Sequence, residues 1–521
     1  MRKIVFLILI FLTLKTFPQA TITEGAFKFA TLLKIVENSY VDSVQEEKLV
    51  EDAIVGMLKE LDPHSTYITK EDLQKMNEPL QGNFEGIGIQ FNILNDTILV
   101  VTPISGGPSE KVGIQAGDKI ITVDGENVAG IGITNKGVAD RLRGPKGTQV
   151  TVEVLRSGEK EPLEFTITRD KIPIFSVDAA YMAAPKIGYI KVNRFSATTM
   201  HEFKKAVEDL KAQGMEHLIL DLRNNSGGYL RTAIELSDEF LPSGKMIVYT
   251  EGRSFPKKEI FSTAIGEVEQ GKIVVLINEG SASASEIVSG AIQDNDRGVI
   301  IGRRSFGKGL VQKPYNLPDG SQVRLTIQRY YTPSGRCIQK PYEDYKSDFK
   351  KRYEHGELFH KDSIDFPDSL KFQTTKGRTV YGGGGIMPDV FVPLDTSYNS
   401  KYYSKLLRKG IFNRFTLTYL DKHRDELEKS YPDIKTFKQK FNPEDYLNEF
   451  LDYAEKQKIE FDKKDFERSK PLILTMIKAD FARNLFGTGA YYQIYNEINP
   501  TYQKALEVIN DDTFDKLQID Y

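Results

Sequence analysis

The chain has 521 residues, 40% hydrophobic and 27% charged, with a formal net charge of −3. That length is too great for one compact domain and suggests about three or four soluble ones, and the mixed charge excludes a polybasic surface for nucleic acid or anionic lipid. The only cysteine, Cys337, leaves no intrachain disulfide framework and no thiolate metal site.

At the N-terminus, Met1-Arg2-Lys3 is followed by the apolar run IVFLILIFLTL and then KTFPQA. A basic start, a short apolar stretch and the small residue Ala20 read as an export signal peptide over 1–20. Eleven apolar residues are too few to cross a hydrocarbon core of roughly 30 Å as a helix. A retained interfacial anchor is the alternative, and the absence of a cysteine after the run argues against a lipoprotein. The chain is thus expected to be exported to the periplasm, with membrane association if the leader is kept.

Residues 21–80 read as a helical region. KLVEDAIVGMLKEL (48–61) repeats apolar residues at three- and four-residue spacing, and the pair Asp62-Pro63 stops it, because a residue before proline avoids the helical conformation. Residues 81–170 turn glycine-rich and extended. GIGIQFNI (86–93) and TILVV (97–101) flank a hairpin break, DKIITVDG (118–125) ends in an Asp-Gly turn, and NKGVADRLRG (135–144) reads as a helix ended by Gly144. TQVTVEVLRSG (148–158) and LEFTITRD (163–170) close the region as alternating strands. A module of this kind, with a Gly-Ile-Gly turn before its first strand and the run AGDKIITVDG, resembles a PDZ domain in its circularly permuted bacterial form. The resemblance implies that Gly86, Ile87, Gly88 and Ile89 bind the C-terminal carboxylate of a peptide, which adds alongside as a strand, with Ile87 and Ile89 facing its last apolar side chains.

Residues 171–397 alternate strands and helices. YIKVNRF (189–195), HLILDLR (217–223), KIVVLIN (272–278) and GVIIGR (298–303) read as buried strands, with HEFKKAVEDLKAQG (201–214) and the run after Ser283 as helices between them. Such alternation implies a largely parallel core. Residues 398–521 are rich in Tyr, Lys and Asp with helical stretches such as PEDYLNEFLDYAEKQ (443–457).

The stretch GSASASEI (280–287) raises the question of a nucleophile. A strand running straight into a helix puts Ser283 at the helix N-terminus, where free N–H groups and the helix dipole suit an oxyanion. Ser283-x-x-Glu286 is equally a capping box, which does no more than start a helix. For a base, none of the six histidines, His64, His201, His217, His355, His360 and His423, stands in a glycine-rich turn beside a strand end, although triad members need not be near in sequence. Lys308, in GRRSFGKGLVQ (302–312), lies between two glycines with Phe306 and Leu310 nearby. Desolvation lowers the pKa of a lysine, and a neutral lysine can take a serine proton. Gln312 is placed to orient its amine.

These segments, with LDLRNNSGG (220–228), LDPHSTYI (61–68), YYTPSGRCIQ (330–339) and GGGGIMPDV (382–390), resemble the carboxyl-terminal processing peptidases of the S41 family, also called tail-specific proteases. The resemblance covers roughly residues 35–395. It implies a crotonase/ClpP-like α/β catalytic core with an inserted PDZ domain, and a Ser/Lys dyad requiring neither cofactor nor metal. Carried over, the nucleophile is Ser283, the base Lys308 and its support Gln312. The oxyanion hole is the N–H of Ala284 with that of Gly227 or Gly228, and Arg143 relays PDZ docking to the protease body. The substrates implied are proteins or peptides with accessible C-termini. The family often assembles as homo-oligomers through helical ends, and an adaptor lipoprotein that delivers substrates belongs among the partners to consider. A non-catalytic PDZ adaptor and an acyl-CoA enzyme of crotonase type are the alternatives.

Overall fold

The computed structural model describes residues 23–263, 266–342, 345, 347–364 and 366–521. The signal peptide expected over 1–20 lies outside the described residues. Among those described, no helix is long and apolar enough to cross a membrane. The chain divides into two compact units, ending and beginning at Tyr67 and Ile68.

The first unit holds two helices. Glu24–Ser39 is capped by the Thr23 hydroxyl and buries none of its residues, so Phe27, Leu32 and Ile35 are exposed. Glu46–Lys59 follows. Beyond it the Asp62 carboxylate accepts from the N–H groups of His64 and Ser65 and from the Ser65 hydroxyl, an Asx-type turn that accounts for LDPHS.

The second unit opens with the helix Lys70–Gln81, ended by Gly82 in the left-handed conformation. Its PDZ domain enters on Asn83–Gly86 and leaves on Asp170–Pro173, which pair antiparallel, Gly86 opposite Asp170. Entry and exit side by side are what an insertion requires. The PDZ sheet runs in the order Ile89–Leu94, Thr97–Pro103, Lys119–Val123, Gln149–Leu155, Leu163–Thr168. Both short turns have positive φ at each central residue, Asn95 and Asp96 at 50° and 56°, Asp124 and Gly125 at 49° and 79°, the geometry that suits strand twist. Ile89–Leu94 lies at the sheet edge, paired on one side among the described residues. The helix Asn135–Leu142 stops two residues before the expected Gly144. Arg143 caps it in an extended conformation because its backbone bridges to Gly86.

The sheet of the region 171–397 has six strands in the order Val177–Ala184, Ile187–Val192, His217–Asp221, Ile273–Ile277, Val299–Gly302, Val390–Phe391. The first pairs antiparallel and the other five run parallel, as strand–helix alternation predicts. One face packs against the helices Thr199–Ala212, Leu230–Asp238 and Ala284–Asp294 through Phe203, Leu236 and Ile287. A second sheet is built on Gln322–Tyr331, flanked by Met246–Gly252 and Leu310–Asn316.

The C-terminal region makes two layers. Helices including Ile411–Ser430 and Lys463–Phe486 enclose their own aromatic core around Phe415, Phe450 and Phe481. The last segment, with the helix Pro500–Asn510, covers the other face of the core sheet: Tyr502, Val508 and Phe514 lie on Tyr189, Ile219 and Val274. The PDZ domain also meets this region. Lys119 pairs with Asp421 at 2.8 Å, and Leu94 and Leu99 cluster with Leu417.

Candidate active site

The three serines of GSASASEI have different fates. The Ser281 hydroxyl donates to the Leu222 carbonyl (2.8 Å) and the Ser285 hydroxyl to the Asn225 carbonyl (2.8 Å), and both side chains are fully buried. They tie the turn after Ile273–Ile277 to the turn after His217–Asp221. Ser283 alone is half-buried and lines a cavity of about 450 Å³. Its backbone stands at φ 55°, ψ −111° just before the helix Ala284–Asp294. A non-glycine residue held there costs about 1–3 kcal/mol and persists only where its surroundings enforce it.

The enforcement comes from Glu286. It is fully buried, and its carboxylate accepts from the Ser283 N–H (2.8 Å), the Lys308 N–H (2.9 Å), the Gly307 N–H (2.6 Å) and the Ser305 hydroxyl (2.5 Å). Burial raises its pKa, against the pull of those four donors. The capping box of the sequence is thus also the clamp that joins the serine turn to the lysine loop, 22 residues apart. Tyr330 ties the same two segments from the other side. Its buried hydroxyl donates to the Ser283 carbonyl (3.0 Å) and the Lys308 carbonyl (2.8 Å), and burial holds the phenol well above its usual range. A buried glutamate and tyrosine at these positions look like ordinary capping and core residues in the sequence.

Lys308 lines the same cavity and donates from Nζ to Gln312 Oε1 at 2.9 Å. Gly307 is at φ 90°, and a Cβ on it would lie 3.1 Å from the Gly385 nitrogen; one on Gly309 would lie 2.9 Å from that of Gln339. Both glycines therefore let the loop run against neighbouring backbone. Of the expected apolar neighbours Leu310 lines the cavity, while Phe306 packs edge-on against Tyr345 beneath the Lys340 ammonium. None of the six histidines lines the cavity.

The turn Asn225–Gly228 supplies the facing wall. It follows Asp221, whose burial works against its charge, but Arg223 and Lys191 overcome this and hold the carboxyl far below the usual range. Arg223 reaches on to Asn499 of the C-terminal segment (2.6 Å). Gly227 is at φ 106° and Gly228 at φ 151°, and a Cβ would lie 2.9 Å from Ser283 Cβ in the first and 2.0 Å from the Phe195 carbonyl oxygen in the second. The Gly227 N–H is engaged by Asn225 Oδ1 (2.9 Å). Gly228 and Ala284 line the cavity, and their N–H groups have no acceptor among the described residues.

Four family models match the chain: Peptidase family S41 over residues 186–347, PDZ domain over 86–167, Activating protease CtpB N-terminal domain over 14–72, and a family of unknown function over 402–487. A carboxy-terminal-processing protease of Bartonella bacilliformis is 40% identical over 317 residues, 60% of this chain and 72% of that protein. The chain belongs to the S41 family of carboxy-terminal processing proteases.

The carboxy-terminal processing protease CtpB of Bacillus subtilis is 35% identical over 60% of this chain and 65% of its own length, just under two thirds. Among solved structures, the photosystem II D1 C-terminal processing protease is 28% identical, over 71% of this chain and 94% of that one, at a TM-score of 0.36.

In this S41 protease the PDZ residues divide. The expectation that Ile87 faces a bound tail is corrected: its side chain is 2% exposed in the domain core and its carbonyl accepts from the N–H (3.0 Å) and hydroxyl (2.7 Å) of Ser109. It points inward because Gly88, at φ 77°, turns the chain between Ile87 and the edge strand. Gly86 is buried and bridged to Arg143, and Ile89 is half-buried on the edge strand. The Arg143 guanidinium lies 2.6 Å from the Glu78 carboxylate and 4.5 Å from the centre of the Phe84 ring. Its partner sits on the helix Lys70–Gln81, whose Asn77, Leu80 and Gln81 line the Ser283 cavity.

Proposed function

We propose that this chain is an exported serine endopeptidase that cleaves polypeptides near their C-terminal tails, with Ser283 as nucleophile and Lys308 as general base. The observation that carries the reading is the composition of one cavity, where Ser283, Lys308 and two backbone N–H groups without an acceptor among the described residues meet. The unprotonated Lys308 amine, oriented by Gln312, takes the proton as Ser283 Oγ attacks the scissile carbonyl carbon. The N–H groups of Gly228 and Ala284 receive the developing oxyanion; Gly227, its N–H spent on Asn225, shapes the turn instead. Lys308 then gives its proton to the leaving amine as the C–N bond breaks. Water hydrolyses the acyl-enzyme with the same lysine as base, releasing an acid and restoring Ser283.

The PDZ domain holds the substrate tail. The edge strand Ile89–Leu94, paired on one side only among the described residues, offers its other side to strand addition, and Arg143 links occupancy to the cavity through Glu78.

With a fluorogenic peptide, Ser283→Ala and Lys308→Ala are each expected to lose at least about 10³-fold in kcat. The double variant should be little worse, since the pair acts as a unit. Ser281→Ala and Ser285→Ala should keep measurable activity at reduced thermal stability. Full activity in Lys308→Ala would remove the dyad. N-terminal sequencing of the protein secreted by its host checks export: cleavage near Ala20 is expected, and a mature protein beginning at Met1 in the cytoplasm would refute it.

A further inference from the structure

We propose that Arg324 gives the catalytic cavity an anion subsite, so that a carboxylate about two residues from the cleaved bond is preferred; this rests on reading the cavity as a peptidase site. Besides Lys308, the proposed base, Arg324 is the only basic side chain among the described residues that line it, and none of those residues is an aspartate or glutamate. Lys308 is committed to Gln312. Arg324 donates from Nη2 to Asn77 Oδ1 at 2.8 Å and from Nε to Gln322 Oε1 at 3.5 Å, both neutral amides. Among the described residues no acidic side chain pairs with it, whereas four of the five other half-buried arginines of the core, Arg223, Arg303, Arg304 and Arg378, each have one, the fifth being Arg194, which donates to Asn193.

The strand register sets the distance. In the hairpin Leu310–Asn316 and Gln322–Tyr331, Gln312 lies opposite Thr326 and Pro314 opposite Arg324. Arg324 is therefore two residues along the strand from the Gln312 pair, about 7 Å, which is the reach of two residues of an extended substrate. A guanidinium held in place by two amides and with no counterion can take a carboxylate through charge-assisted hydrogen bonds without first breaking an ion pair. The carboxylate can be an Asp or Glu side chain or the α-carboxylate of a short tail.

The test uses peptides acetylated and amidated at their ends, which removes any tail for the PDZ domain to read, with Glu or Gln at each of the three positions on either side of the cleaved bond. In the wild type the Glu peptide should be favoured roughly 10-fold in kcat/KM at one position, as expected for a hydrogen-bonded charge pair. The ratio should fall to about 1 in Arg324→Gln, persist in Arg324→Lys, and give way to a preference for Lys over Gln in Arg324→Glu. A second arm compares a peptide that ends about two residues beyond the cleaved bond as free acid and as amide, separating the α-carboxylate from the side chain. Flat ratios in both arms, or a preference unchanged in Arg324→Gln, would overturn the subsite. Fluorescence anisotropy of the same peptides on Ser283→Ala gives a readout without cleavage. Glu-selective binding there, lost when Arg324→Gln is added, keeps the subsite even if the wild type cleaves nothing, an outcome that would refute the peptidase reading alone.

Discussion

Glu286 separates two roles that look identical along the chain. A capping box accepts glutamine as readily as glutamate, so if Glu286 only started the helix, Glu286→Gln would be nearly silent. Its carboxylate instead accepts from four donors, and an amide offers one oxygen and sets its own N–H groups against them. Leaving buried donors unmet costs about 1–3 kcal/mol each. We expect Glu286→Gln to lower kcat about 100-fold with a smaller change in KM, and to lower the unfolding temperature. Wild-type kinetics in this variant would reduce Glu286 to a cap. Asp480 offers a test of pH at the same scale. Burial pushes its carboxyl up to about 6, against the pull of the Arg483 guanidinium. The folded chain therefore holds the proton more tightly than the unfolded chain, whose value is near 3.8. The stabilisation is complete below that value and is lost as pH rises through about 6. Relative to Asp480→Asn, the wild type should lose about 2–3 kcal/mol between pH 4 and pH 7, read from urea unfolding at the two pH values. Parallel pH profiles would show that Asp480 does not titrate in this window.

Among the elements, the helix Lys70–Gln81 has the most to transmit. Within its last turn and a half it places Glu78 on Arg143 and sends Asn77, Leu80 and Gln81 into the cavity wall. Under the proposed function, tail docking that pulled on Arg143 would move a wall of the site through this helix. The wild type should cleave a peptide with a free C-terminal carboxylate several-fold faster than its amidated twin. Arg143→Ala and Glu78→Gln should each shrink that ratio while still cleaving the amidated peptide. Equal rates for the two peptides in the wild type would mean that the tail carboxylate is not read. The helix was legible as part of a helical region over 21–80, but its double contact was not, because Arg143 lies 65 positions from Glu78 and nothing local marks the pairing.

At the scale of the whole molecule, residues 499–521 pack as part of the core. The helix Pro500–Asn510 covers a sheet face whose Ile219, Val274, Leu276 and Ile301 are fully buried, and Asn499 holds Arg223 just ahead of the turn Asn225–Gly228. A chain ending at Ile498 would leave that apolar face open to water, at roughly 25 cal/mol for each Å². It should lose thermal stability by ten degrees or more, or aggregate, and lose activity with it. Size-exclusion chromatography and circular dichroism against the full chain decide this. A truncated chain with wild-type melting and cleavage would make the C-terminal segment an appendage.

What the sequence determined by itself is what local chemistry encodes. Alternating apolar runs with intervening amphipathic stretches announce the parallel sheet, Asn-Asp and Asp-Gly the two PDZ turns, and GSASASEI and FGKG a serine turn and a lysine loop with glycines where backbones touch. Each signal lies within about a dozen residues, the range over which periodicity and turn preference act. The tertiary structure decided the rest. It buried Ser281 and Ser285 against carbonyls about 60 residues away and left Ser283 in the cavity, spent the Gly227 N–H within its own turn while leaving that of Gly228 open, turned Ile87 inward, and laid the C-terminal helices over the sheet. Parallel strands bring the ends of distant segments to one edge, so which groups meet there depends on the folded register rather than on any neighbour in the chain.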